Sequence, residues 1–375
     1  MMTPRERVLA LIRGDAIDRL PFAHCERHLP RGDAERIARN KGMALLCNRP
    51  CYVERFSRVE IQTRIDQSGR LVRSYHTPIG TLTETLAAGI GYGIACFGRD
   101  WRGMVPQITE YMVKKPQDYE VLKFIIEDLH YDQYYYAIED QMKRLGSDGI
   151  VIAELPYEPM QRLLLEFVGI AGLFRDLTKS KCRVEEVCDI LEEKYEEELF
   201  PLAADSPSEV VLYGGNIDGY LVNPPLFERY HLRTYSKCAE TLHRRGKMMA
   251  VHMDGRLAPL SDLIARSSVD IIDGFTPPPM GDLAIGEALN LWPNKILWVN
   301  FPSSVSTALG TSPRAVKQYL ARELRLMIPG DRVMIVASTE NYVPEDSIAA
   351  MAELMEEATL PLSTDVVNKL CASCS

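Results

Sequence analysis

Apolar and polar positions along the chain repeat with two different periods. Residues 3–13 follow helical spacing. Thr3 stands as N-cap, Pro4 at the first helical position and Glu6 where it completes a capping box, which predicts a short amphipathic helix. A brief apolar run, Leu20 to Ala23, comes next. Between about 50 and 112 the period falls to two. Val59 to Ile65 alternates cleanly, Gln67-Ser68-Gly69 reads as a turn, Leu71 to Tyr75 resumes, and Thr81 to Leu86 adds a further strand. This predicts a β-meander.

From 117 onward the texture changes. Short β-rich runs lie at Ile150 to Ala153, Val210 to Tyr213, Met248 to Val251, Val269 to Ile272, Ile296 to Val299 and Val333 to Val336. Helical patterns lie near 130–146, 183–199, 224–244, 257–266, 312–328 and 345–358. Buried strands that alternate with helices predict parallel β/α units. With Leu20 to Ala23, and an eighth strand that the pattern does not place, they make an α/β (β/α)8 TIM barrel. The expectation is one barrel domain over 1–375, with an N-terminal helical extension and a β-meander inserted at 50–112. A doubly wound open sheet has the same alternation and is the structural alternative. No Gly-rich dinucleotide fingerprint opens any unit: Tyr213-Gly214-Gly215-Asn216 lacks the third glycine.

Composition narrows the function classes. The chain has 375 residues, 46% hydrophobic and 25% charged, which is ordinary for a globular protein. A net charge of −9 argues against a nucleic-acid surface, which needs clustered Lys and Arg. The greasiest stretch, Met160 to Phe174, is broken by Gln161, Arg162 and Glu166, so no membrane span is expected. Nine scattered cysteines read as reduced thiols in a reducing, cytoplasmic compartment.

In a β/α barrel, catalytic groups project from the C-terminal strand ends. Those ends carry Glu154, then Asn216 and Asp218, His252 and Asp254, Asp273, Asn300, and Glu340 with Asn341. Asp and Asn also serve as helix N-caps after strands, but Glu and His are poor caps, so a ring of such residues points to a pocket. The sharpest element is Val251-His252-Met253-Asp254-Gly255. Residues two apart on an extended segment face the same way, so His252 and Asp254 can address one ligand. They can bind a metal with Glu340 as third ligand, form a hydrogen-bonded acid–base pair, or hold one another for structure alone.

The opening Met2-Thr3-Pro4-Arg5-Glu6-Arg7-Val8-Leu9-Ala10-Leu11-Ile12-Arg13-Gly14-Asp15, with Asp18-Arg19-Leu20-Pro21, resembles the N-terminal signature of the uroporphyrinogen decarboxylase superfamily. The β-meander, the helix start at Lys115-Pro116-Gln117-Asp118-Tyr119, His252-Met253-Asp254-Gly255 and Asn341-Tyr342-Val343-Pro344 follow in the same order. The resemblance runs over the full length, and within the superfamily it is to the corrinoid-dependent methyltransferase branch. It implies a (β/α)8 barrel with its pocket at the strand C-termini. The decarboxylases carry paired arginines soon after the first strand. Here that region reads Phe22-Ala23-His24-Cys25-Glu26-Arg27-His28, which disfavours tetrapyrrole decarboxylation. Thiol-methylating members bind zinc through H-x-C and a distant Cys, where this chain has Asp254 and Glu340. A harder, carboxylate-bound metal favours activating a methyl donor.

The resemblance thus implies a demethylating methyltransferase that moves a methyl group from an aryl methyl ether or methylamine to the cobalt of a separate corrinoid protein. This chain has no D-x-H-x-x-G of its own to hold a corrinoid. His252, Asp254 and Glu340, with or without zinc, are the expected catalytic and metal-binding residues. Glu154, Asn216, Asp218, Asp273 and Asn300 are expected to bind the donor. A decarboxylase-like lyase and a non-catalytic ligand-binding barrel are the alternatives, and a homodimer is among the assemblies open to the chain.

Overall fold

The computed structural model describes residues 2–29, 31–87, 107–302, 312–337 and 344–374. Eight parallel strands close into a barrel: β1 (Phe22–Cys25), β2 (Ala44–Pro50), β9 (Gly149–Glu154), β10 (Val210–Leu212), β11 (Met248–His252), β12 (Ile271–Phe275), β13 (Ile296–Asn300) and β14 (Val333–Val336). The last pairs with the first, Phe22 opposite Ile335 and Ala23 opposite Val336. Closure excludes the open-sheet alternative. The strand that the sequence pattern left unplaced is β2, between β1 and β9 in the barrel.

Side-chain alternation divides the interior in two. Ala23, Ala44, Leu46, Ile150, Ile152, Val210, Leu212, Ala250, Ile271, Ile296, Trp298, Met334 and Val336 fill the barrel lumen. Their odd-numbered or even-numbered neighbours, such as Leu45, Val151, Val211, Val251 and Leu297, belong to a second cluster that packs beneath the helices. The helix Pro4–Arg13 closes one end of the lumen with Val8, Leu9, Leu11 and Ile12. It sits at the N-terminal end of the strands, since Arg5 donates its N–H to the Ser147 carbonyl and pairs with Glu209, just ahead of β9 and β10. The expected capping box is present. Thr3 Oγ1 accepts from the Glu6 N–H at 3.2 Å and Glu6 Oε2 accepts from the Thr3 N–H at 2.8 Å.

Between β2 and β9 the chain leaves the barrel. β3 (Tyr52–Phe56) pairs antiparallel with β8 (Leu129–Gln133). β4 (Glu60–Ile65), β5 (Leu71–Thr77), β6 (Gly80–Ala87) and β7 (Gln107–Glu110) form a four-stranded antiparallel sheet, as the meander pattern predicts. The helix expected near 130–146 begins only at Tyr136 and runs to Leu145. Its first residues belong to β8, which is held from a distance: the Asp128 carboxylate accepts N–H bonds from Ser57, Arg58 and Val59. The excursion is fastened to the barrel by buried charge. Arg162 pairs with Glu166 at 2.7 Å and with Glu54 of β3 at 3.3 Å, and its guanidinium lies 4.8 Å from the Phe167 ring centroid. Arg73 and Glu84 pair at 2.9 Å on the inner face of the four-stranded sheet. Among the described residues no helix is long and apolar enough to cross a membrane.

Candidate functional site

The alternation that puts Ala23, Leu46, Ile152, Ala250, Ile271 and Trp298 in the lumen carries on to the C-terminal strand ends. One step further, Cys25, Asn48, Glu154, His252, Asp273 and Asn300 come next on the inward side, above the apolar filling. Four of these were expected from the sequence: Glu154, His252, Asp273 and Asn300. The barrel mouth is therefore polar over an apolar floor.

His252 is the centre of this layer. Its Nδ1 lies 2.8 Å from Asp273 Oδ2 on the adjacent strand. A carboxylate there makes Nδ1 the protonated nitrogen and leaves Nε2 for chemistry. Nε2 lies 3.9 Å from Asp254 Oδ2. Burial pushes the Asp254 carboxyl above its usual range; nearby His252 opposes that shift, while Asp218 and Asp273 add to it. Two glycines clear room for the imidazole. A Cβ at Gly274, where φ is +75°, would lie 2.4 Å from His252 Cε1, and one at Gly215 would lie 2.5 Å from His252 Cβ. Only glycine fits at Gly274, on grounds of both space and backbone.

The remaining expected residues serve differently. Asp218 uses both oxygens on backbone, Oδ1 accepting from Tyr220 N at 2.8 Å and Oδ2 from Arg256 N at 2.9 Å, so it ties the loop after β10 to the turn after β11. Asn216 is exposed, at φ 55°, with Nδ2 donating to the Tyr157 hydroxyl at 2.9 Å. Glu340 lies outside the described residues, and so does Asn341. Among the described residues no trio of His, Cys, Asp and Glu is grouped to hold a metal ion. His252 and Asp254 nonetheless fit two positions of a zinc site, because a metal-bound imidazole commonly donates its other N–H to a carboxylate, as His252 does to Asp273.

Two residues of the site escape a reading of strand ends. Arg27, two positions past β1, reaches along the rim over β2 to Glu154 of β9 at 2.7 Å and to the Asn48 carbonyl at 3.3 Å. Its signal was a single arginine, rather than two, shortly after the first strand. Glu158 is fully buried beneath the Gly214-Gly215-Asn216 turn, accepting from the Tyr235 hydroxyl and, at 3.2 Å, from the Gly215 N–H. Burial pushes its carboxyl up to about 7, against the hydrogen bonds from Tyr235 and Gly215. Nearby, Gln161 donates to the carbonyls of Gly215 and Asn216 at 3.2 and 2.9 Å. Together Glu158 and Gln161 fix the turn that abuts His252.

Neither a protein-family model nor a curated protein sequence matches the chain. Among solved structures, a methyltransferase from Methanosarcina mazei is similar at a TM-score of 0.56 and 12% identity, covering 94% of this chain and 98% of that one. A Bacteroidetes-affiliated cellulase is similar at a TM-score of 0.37 and 12% identity, over 63% of this chain and 77% of that one. At 12% identity the likeness to the methyltransferase is one of fold.

Proposed function

We propose that the chain is a demethylating methyltransferase, taking a methyl group from a small methylated donor seated in the barrel mouth and passing it to the cobalt of a separate corrinoid protein. The observation that carries this reading is the His252 imidazole, held by Asp273 on one nitrogen and turned toward Asp254 with the other. That arrangement suits a donor whose leaving atom gains negative charge, and an aryl methyl ether is such a donor. As the cobalt nucleophile takes the methyl carbon, the C–O bond breaks and both its electrons go to oxygen. His252 Nε2–H supplies the proton, and Asp273 stabilises the imidazolium before transfer. Asp254 stands 3.9 Å from that Nε2, with its carboxyl raised by burial. With zinc bound, His252 and Asp254 would hold it, and it would supply Lewis acidity at the same oxygen. Arg27 neutralises Glu154 on β9, two strands from His252 around the rim. The full-length fold likeness to a methyltransferase supports the reading without fixing donor or acceptor.

The test is methyl transfer to a reduced corrinoid protein, followed by the absorbance of the methylcobalt product across a panel of methyl ethers and methylamines. Activity with ethers that is lost in His252→Ala, with circular dichroism unchanged, is the expected result. A fully active His252→Ala variant would sink the site assignment. Ligand binding with no transfer to any donor would favour the non-catalytic barrel instead.

A further inference from the structure

Among the described residues β4 is an edge strand, pairing on one side only, with β5, and all six of its residues are exposed. Ile61, Thr63 and Ile65 lie on one face, continuous through the register with Tyr75 and Leu82 and with Arg73 and Glu84. Glu60, Gln62 and Arg64 lie on the other. Ile61 is 42% exposed and Ile65 69%. A strand edge without proline, lysine or bulge, carrying branched apolar side chains, is a template for another strand.

The charge order identifies that strand. Glu60, Gln62 and Arg64 share one face of β4, and with Arg58 and Asp66 just beyond its two ends the order reads plus, minus, neutral, plus, minus. If a second β4 lies antiparallel with Gln62 opposite Gln62, Glu60 faces Arg64 of the second copy, and Arg64 faces its Glu60. Arg58 and Asp66 match in the same way. On the other face Ile61 meets Thr63, and Ile65 lies against the second copy just beyond the start of its β4. Moving the centre to Ile61 sets Arg58 against Arg64, and moving it to Thr63 sets Glu60 against Asp66. Like charges directly opposite are unfavourable, so of these registers only the one centred on Gln62 matches throughout. Arg58 and Asp66 already hold Asp128 and Arg70 within the chain, at 3.1 and 2.9 Å, so the register depends on Glu60 and Arg64.

We propose that β4 pairs with β4 of a second copy of this chain, joining two four-stranded sheets into one eight-stranded antiparallel sheet about a two-fold axis at Gln62. The test is sedimentation of the full-length protein over a micromolar concentration series, with E60R, R64E, the double variant E60R/R64E and I65K. All three positions are exposed, and circular dichroism checks that each variant folds. The wild type should dimerise. Each single reversal should weaken the dimer by about tenfold or more, since two matched pairs become two like-charge pairs. The double variant restores both pairs and should recover the wild-type constant, and I65K should yield monomer. A wild type that stays monomeric, a dimer indifferent to E60R and I65K, or a double variant no tighter than the singles would overturn the proposal.

Discussion

Replacing Glu158 by Gln isolates the consequence of a buried carboxyl held at about 7. In the unfolded chain the group takes the ordinary glutamate value, so between that value and about 7 the folded protein keeps a proton that the unfolded chain has lost. The folded state binds more protons in this window, and stability must fall as pH rises through it. The loss is complete above the folded pKa and absent below the unfolded one. An interval from 4.5 to about 7, at about 1.4 kcal/mol for each pH unit, amounts to about 3 kcal/mol. Gln removes the titration and keeps the contacts. Its amide oxygen can accept from the Gly215 N–H and its NH2 can donate to the Tyr235 oxygen, which replaces the two bonds Glu158 makes. Urea unfolding of wild type and Glu158→Gln at steps from pH 4 to pH 8 measures the difference directly. The variant should gain on the wild type as pH rises, by a total of about 3 kcal/mol, with most of the change below pH 7. Two parallel profiles would refute the reasoning, because they would mean that Glu158 is no more protonated in the folded protein than in the unfolded chain.

Asp273→Asn should lower methyl transfer by about 10- to 100-fold with little change in thermal midpoint, because it removes the carboxylate that orients His252. Equal activity in steady-state assays would place Asp273 outside the mechanism. Gly274→Ala should displace the imidazole, whose Cε1 would lie 2.4 Å from the new methyl group, and strain a backbone at φ +75°. Lost activity together with a lower melting temperature is the expected outcome, read by fluorimetry beside the transfer assay. Thr3→Ala should destabilise the protein by about 1 kcal/mol in denaturant unfolding, through loss of the N-cap bond to Glu6, and leave transfer unchanged.

The barrel was legible because seven of its strands are short apolar runs bounded by helical patterns, and such runs announce parallel buried strands directly. β2 was not, since the run Ala44 to Cys47 passes directly into Asn48-Arg49-Pro50 and the meander alternation, with no helical pattern after it to mark a β/α unit. β8 was hidden for another reason: its partner β3 lies far back in the chain, and the Asp128 bonds that set it are invisible to local periodicity. At the mouth, residues directly on strand ends were readable because inward alternation decides their direction, as with Glu154, His252, Asp273 and Asn300. Asp218 and Asn216 follow a strand in sequence but sit in a loop whose glycines turn the chain, so counting from the strand end does not give their direction. Glu158 and Arg27 enter from a helix and a turn, and only the tertiary packing that buries one and extends the other brings them to the site.

The pairing of Phe22 with Ile335 has a kinetic consequence during synthesis. β1 leaves the ribosome long before the strand that covers its edge, since Phe22 and Ile335 are 313 positions apart. At roughly 5–20 residues per second, that wait lasts roughly 15 to 60 seconds. Over the same interval the lumen has no closed wall, so Val8, Leu11 and Ile12 of the N-terminal helix are covered only in part, by β2 and β9. The nascent chain therefore carries a sticky helix and an open strand edge together until β14 emerges. Chaperone demand should concentrate on that early segment, and it should end when the last strand clears the exit tunnel.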